Sequence, residues 1–151
     1  MPAPEGIYQG IAFIKYICYL WRMQLPIRIY YEDTDCGGVV YYANYLRYFE
    51  RGRTEFLREK GISLTDLQDK GILFVVTKVE VEYLSPCRYN DLLFLDTQLT
   101  DISRATMTFR HSIKREGEEK ELVRGSVILA AVGKDGRPIR IPEEVRKVLG
   151  G

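Results

Sequence analysis

The chain has 151 residues, 46 % of them hydrophobic and 28 % charged, the balance of one globular domain able to build its own core. Lys and Arg number 22 against 21 Asp and Glu, and a net charge of +1 excludes a bulk pull toward nucleic acid or anionic lipid. Three scattered cysteines (Cys18, Cys36, Cys87) make no CxxC pair and no disulfide framework, which points to a reducing cytoplasm, and one histidine, His111, nearly excludes the usual zinc sets.

The first segment, "GIAFIKYICYLW" (residues 10–21), is apolar but interrupted by Lys15. It falls short of the roughly 20 apolar residues of a spanning helix, and no signal-type cleavage site follows it. Residues 1–24 are set apart as an N-terminal extension, and residues 25–151 form the domain. The extension reads as translated sequence ahead of a natural start at Met23, or as a segment for peripheral membrane or partner contact through residues 13–21.

In "LPIRIYY" (residues 25–31), Ile27, Ile29 and Tyr31 share one parity and predict a first strand. Further on, Tyr45, Leu46, Phe49, Gly52, Phe56 and Leu57 fall on one helical stripe, with Arg47, Glu50, Arg51, Thr54, Glu55 and Arg58 opposite. That helix should end near Lys60 and Gly61. Gly52 in its middle costs about 1 kcal/mol relative to alanine, which close backbone packing would explain. A shorter helix from Ser63 or Thr65 to Lys70 should begin with a hydroxyl cap.

Beyond Gly71 the period becomes two. Four segments alternate: residues 73–84, 92–103, 104–115 and 121–134, joined by short polar turns, and they read as an antiparallel meander. "VILAAV" (residues 127–132) is apolar on both parities, as in a strand covered on two faces or lying at a subunit interface. "KDGRP" is a turn, and "PEEVRKVL" a terminal helix begun by proline and two glutamates. The economical arrangement is α+β, a five-stranded antiparallel sheet wrapped around the long helix, with edge strands that invite dimerisation.

The chemistry gathers at "YYEDTDCGGVVYYANYLRYFE" (residues 30–50), where two aspartates and two glycines precede the helix. A calcium loop starting at Asp33 needs oxygen at its fifth place and glutamate at its twelfth; Gly37 and Asn44 stand there. Neither glycine-rich phosphate signature is present. In the plainest reading Asp33 or Asp35 caps the helix and the glycines make the bend. In the functional one, unpaired N–H groups at the helix start polarise a carbonyl and a nearby carboxylate attacks it or activates water. Cys36 is a rival nucleophile without a histidine near it in sequence.

Residues 30–61 closely resemble the hotdog-fold acyl-CoA thioesterases of the 4-hydroxybenzoyl-CoA thioesterase group, and within them the Tol–Pal-associated branch. The resemblance rests on Asp33-Thr34-Asp35, Gly38, Val39-Val40-Tyr41, Asn44-Tyr45, Phe49-Glu50-Arg51 and Arg53-Thr54-Glu55, and extends to about residues 25–149. It implies a cytoplasmic homodimer or homotetramer with sites at the dimer interface, and Asp35 as the catalytic carboxylate. It implies too that the amides of Val40 to Tyr42, that of Tyr42 above all, receive the thioester carbonyl, and that Gly37, Gly38, Tyr41 and Asn44 join Val40 in binding substrate. Arg104 matches a family position where basic residues meet the phosphates of CoA, with Arg88 as a helper; the plain alternative for each is a solvated surface arginine. The Tol–Pal-associated branch usually has histidine where Tyr42 stands, whereas the hydroxybenzoyl branch has tyrosine. No metal or redox cofactor is implied. His111, on the apolar parity with Met107, Phe109 and Ile113, reads as a packed strand residue. The expected activity is hydrolysis of an acyl- or aryl-CoA to free acid and CoA. The alternatives are a non-catalytic hotdog subunit that binds acyl groups or partners, and a dehydratase, which would want a His/acid pair.

Overall fold

The alternating segments fold into strands and the striped one into a helix in a computed structural model that describes residues 22–150. The strands are β1 (Arg22–Arg28), β2 (Leu73–Tyr83), β3 (Leu92–Ile102), β4 (Thr106–Arg115) and β5 (Glu121–Val132). The helices are α1 (Asn44–Glu59), α2 (Leu64–Asp69) and α3 (Glu143–Val148). The apolar segment of residues 10–21 and Cys18 lie outside the described residues. β1 begins at Arg22, earlier than the expected strand. Met23 is thereby buried, and Arg22 binds Asp96 of β3 at 2.8 Å. No helix among the described residues is long and apolar enough to cross a membrane.

The sheet order is β1-β3-β4-β5-β2, antiparallel throughout. Only β3-β4-β5 form the expected meander; β2 crosses over to pair with β5, and β1 pairs with β3. Alternation tells which face of a strand is buried but not which strand lies beside it. The connection through residues 84–91 decides that, carrying the chain across the end of the sheet.

The inner face presents Leu93, Leu95, Leu99, Met107, Phe109 and Val127 to α1, where Phe56 meets Phe109 edge-on at 5.5 Å. Because the sheet curves round the helix, the buried arc of α1 is wider than one stripe. It takes in Tyr48 and Arg53 with Tyr45, Phe49, Gly52, Phe56 and Leu57. Leu46, expected in the stripe, is instead 40 % exposed beside the open edge. Gly52 is needed for closeness: a Cβ there would overlap Thr97 Oγ1 and sit 2.7 Å from Leu95 Cδ2. Gly61 (φ +75°) closes the helix and Ser63 Oγ caps α2, accepting from the Asp66 amide at 3.2 Å.

The doubly apolar end of β5 is covered on both faces, with Leu129, Ala130, Ala131 and Val132 all buried, and the returning chain pairs there through the Ile139 amide and the Ala131 carbonyl at 2.9 Å. β2 is an edge, exposing Leu73, Val75, Val76 and Val79. The whole is the hotdog architecture that the resemblance implies.

Candidate active site

The junction is more folded than a strand, a bend and a helix. After β1 the chain makes one 3-10 turn, Tyr31–Asp33, and the Asp33 carboxylate accepts from the Tyr30 amide at 2.8 Å. Thr34 and Val40 then pair as an antiparallel bridge around a tight hairpin. Within it the Asp35 amide donates to the Val39 carbonyl (2.9 Å) and the Gly38 amide to the Asp35 carbonyl (3.0 Å). Gly38 takes φ +74°, where a side chain would be strained. The hairpin is docked by Val40, whose amide donates to the Cys87 carbonyl at 2.8 Å, and by the Val39–Arg88 bridge.

Asp35 therefore stands at the corner of a braced hairpin, exposed in the single chain. Its Oδ1 accepts from the Gly37 amide at 2.8 Å, which orients the carboxylate, and Oδ2 has no hydrogen bond among the described residues. A Cβ on residue 37 would come to 3.1 Å from Oδ1, so glycine there leaves the carboxylate its room. Neither aspartate caps α1, contrary to the plainest reading: the N-cap is Ala43, with no side-chain cap.

The donors at the helix start also differ from expectation. The amide of Val40 is spent on Cys87, and that of Tyr41 on the Asp33 carbonyl at 2.8 Å. Hairpin and helix must be tied together somewhere, and these two groups do it. Among the described residues, the amides of Tyr42 and Ala43 make no hydrogen bond. The open pair thus lies one step further along than Val40 to Tyr42. Asn44, expected to bind substrate, is buried, and its Nδ2 donates to the Asp33 carbonyl at 2.9 Å. It is a strut between helix and hairpin.

The tyrosines divide in two. Tyr45 and Tyr48 belong to the core, and burial pushes both phenols above their ordinary range. Tyr41 and Tyr42 are exposed and touch each other (4.8 Å), and Tyr42 also meets Tyr83 of β2 edge-on at 6.4 Å. Tyr83 Oη donates to the Tyr42 carbonyl at 3.1 Å, which steadies the peptide after the open amide. Sequence reading passed over Tyr83 because nothing in the alternation of β2 marks its last residue.

His111 is fully buried and stacked on Phe49 at 4.4 Å. Its Nε2 faces Arg53 Nη1 at 3.4 Å and its Nδ1 faces Thr97 Oγ1 at 3.1 Å. A guanidinium only donates, so Nε2 accepts and the proton sits on Nδ1. Burial first, and the Arg53 charge second, lower its pKa to about 3. The chain's one imidazole is therefore neutral and packed away. It serves neither Cys36, exposed on the hairpin, nor a dehydratase pair.

Arg88 lies exposed beside the hairpin. Arg104 occupies the turn between β3 and β4, while the hairpin docks near the start of β3. The strand between has 11 residues, a span of about 35 Å at some 3.3 Å per residue. Within one chain Arg104 and Asp35 do not come together. Among the described residues no group of three or more His, Cys, Asp or Glu side chains is arranged to hold a metal ion.

The description "Thioesterase-like superfamily" matches residues 30–149. Acyl-CoA thioesterase YbgC of Haemophilus influenzae is 37 % identical over 122 residues, 80 % of this chain and 89 % of that protein. A probable thioesterase from Bartonella henselae has a crystal structure that superposes with a TM-score of 0.74 at 35 % identity, covering 80 % of this chain and 99 % of the other. The 4-hydroxybenzoyl-CoA thioesterase of Pseudomonas sp. strain CBS-3 shares the fold, with a TM-score of 0.78 at 21 % identity over 85 % of this chain and 99 % of its own.

Proposed function

The chain belongs to the thioesterase-like superfamily, and on that premise we propose that it is a thioester hydrolase cleaving an acyl- or aryl-CoA to free acid and CoA. The observation that carries the reading is the pairing of an oriented carboxylate, Asp35, with two unspent amides, Tyr42 and Ala43, on one hairpin-to-helix junction. The thioester carbonyl oxygen takes hydrogen bonds from those amides, which strengthen as negative charge gathers on it. Asp35 Oδ2 adds to the carbonyl carbon, or it takes a proton from a water that adds instead. The C–S bond then breaks and CoA leaves as thiolate. In the first route the product is an acyl–aspartyl anhydride, which water cleaves to restore the carboxylate and release the acid. Both routes need the same carboxylate in the same place.

Residues 30–61 resemble the Tol–Pal-associated branch, and we assign the chain there as the finer reading. Tyr42 replaces that branch's usual histidine, a change to which a backbone donor is indifferent. The proposed setting is the cytoplasm. The proposed assembly is a homo-oligomer in which the exposed β2 edge pairs with a second copy and Arg104 of one subunit serves the CoA phosphates at another's site.

Thiol release from short, long and aromatic acyl-CoAs, wild type beside Asp35→Asn, tests the activity. The variant should lose roughly 10²- to 10⁴-fold in kcat with circular dichroism and oligomer size unchanged. Equal rates would remove Asp35 from the mechanism. Acyl-CoA binding without thiol release by wild type would favour a non-catalytic acyl-binding subunit.

A further inference from the structure

Arg53 is a charge in the wrong surroundings. It sits on the inner arc of α1, 7 % exposed. Among the described residues its one hydrogen bond runs from Nη1 to the neutral His111, and no carboxylate lies within ion-pair distance. Glu50, the nearest acid along the helix, has Oε1 taken by the Thr54 hydroxyl at 2.7 Å. Burial lowers the guanidinium to about 10, and the field of Glu50 only partly offsets this. A buried cation without a counter-charge is costly to desolvate even after the surroundings relax. Folding alone gives no return for it.

The surroundings point to what would supply that charge. Leu46, Glu50, Arg53 and Leu57 recur at intervals of four, three and four residues, one face of α1, and Tyr42 stands four residues ahead of them. This face and the edge strand enclose a cleft of about 490 Å³, with Leu46, Glu50 and Arg53 on the helix side and Val76, Val79 and Val127 on the sheet side. Arg53 also borders a second cavity, beyond it, walled by Leu57, Phe74 and Leu129. Arg47 and Arg51 stand at the rim of the first, so three arginines face one glutamate. The cleft starts about one turn beyond the open amides, carries Leu46, Val76, Val79 and Val127 as its apolar lining and reaches a buried cation.

We infer that this cleft holds the acyl group of the substrate and that Arg53 binds an anionic group at its far end, so that the preferred thioesters are those of ω-carboxylated acids. The inference rests on the thioesterase reading for the position of the thioester, at the Tyr42 amide. Nine steps of α1 at 1.5 Å separate Asn44 from Arg53, about 14 Å, and an arginine side chain leaning back toward the helix start leaves about 10 Å for the acyl chain. Dicarboxylic acyl groups of about six to ten carbons suit that length. Arg53 is in this role a specificity residue, its guanidinium held from behind by His111, which in turn bonds Thr97.

The test compares suberyl-CoA with octanoyl-CoA, equal in length and different only at the far end. Wild type should prefer suberyl-CoA in kcat/KM by about tenfold or more, the factor that one charge-assisted contact supplies. Arg53→Gln should erase that preference, and Arg53→Lys should restore part of it. If Arg53→Gln does not fold, Arg47→Glu at the exposed rim replaces it and should lower the ratio of suberyl-CoA to octanoyl-CoA turnover. Equal kcat/KM for the two thioesters in wild type overturns the inference. So does an Arg53→Gln variant that lowers both alike, or one that changes oligomer size, since Arg53 would then be pairing with a second copy. Should no thioester be hydrolysed at all, the thioesterase reading fails separately. Calorimetric titration of wild type and Arg53→Gln with suberate and octanoate then decides: Arg53-dependent preference for suberate upholds the anion site, and none removes it.

Discussion

Asp33 and Asp35 stand two residues apart and do different work, which their shared chemistry does not reveal. Asp33 is consumed by structure: its carboxylate holds Tyr30, and its carbonyl receives both Tyr41 and Asn44. Asp35 spends one oxygen on Gly37 and keeps the other. The pattern of the region was legible, and the resemblance singled out Asp35 as the carboxylate to test. The bookkeeping of hydrogen bonds was not, because a backbone donor carries no residue-type signature. His111 is the residue with the clearest pH consequence. Its pKa falls from 6.5 to about 3 on folding, so between these values the unfolded chain binds a proton that the folded chain refuses. Stability is therefore intact above about pH 6.5 and declines as the pH drops toward 3, by about 1.4 kcal/mol per pH unit inside the window. Urea unfolding between about pH 4 and pH 7 should show His111→Gln with a shallower loss than wild type. Parallel curves would mean that the acid sensitivity comes from carboxylates alone.

Among the elements, α1 sets the proposed site because the open amides of Tyr42 and Ala43 lead into its first turn and its middle is pressed against the sheet. Gly52 allows the approach: alanine there would gain about 1 kcal/mol of helix propensity but overlap Thr97 and Leu95, at an overpacking cost of about 1–3 kcal/mol. Gly52→Ala should therefore lower the melting temperature. A rise would mean that β3 yields more readily than its buried side chains suggest. The helical stripe was legible from period alone, and the close approach at Gly52 was anticipated from its cost. Leu46 left the stripe and Arg53 joined the buried arc, since a period gives the direction of the buried face but not its width. That width depends on how far the sheet curls. At a helix start a carboxamide looks the same in sequence whether it faces a ligand or a carbonyl 11 positions back in the chain, and Asn44 Nδ2 binds such a carbonyl.

At the scale of the molecule, the open question is what covers the β2 edge. It carries exposed Val75, Val76 and Val79 along a row of unpaired backbone groups, the kind of edge that recruits another strand. The proposed pairing with a second copy predicts that Val75→Asp, which sets like charges near each other across a two-fold axis, shifts sedimentation toward monomer and lowers turnover with it. A monomeric wild type would end that proposal and leave the Arg104 assignment without a site to serve. The amino-acid sequence by itself determined the five strands, the long helix, the carboxylate–glycine junction and, through its ordered motif, the family, because period, turn chemistry and residue type are local properties. Only the tertiary structure decided the crossing of β2, the amides left open, the strut at Asn44 and the uncompensated charge of Arg53. Each depends on which distant groups meet, and that is set by the curvature of the sheet around the helix.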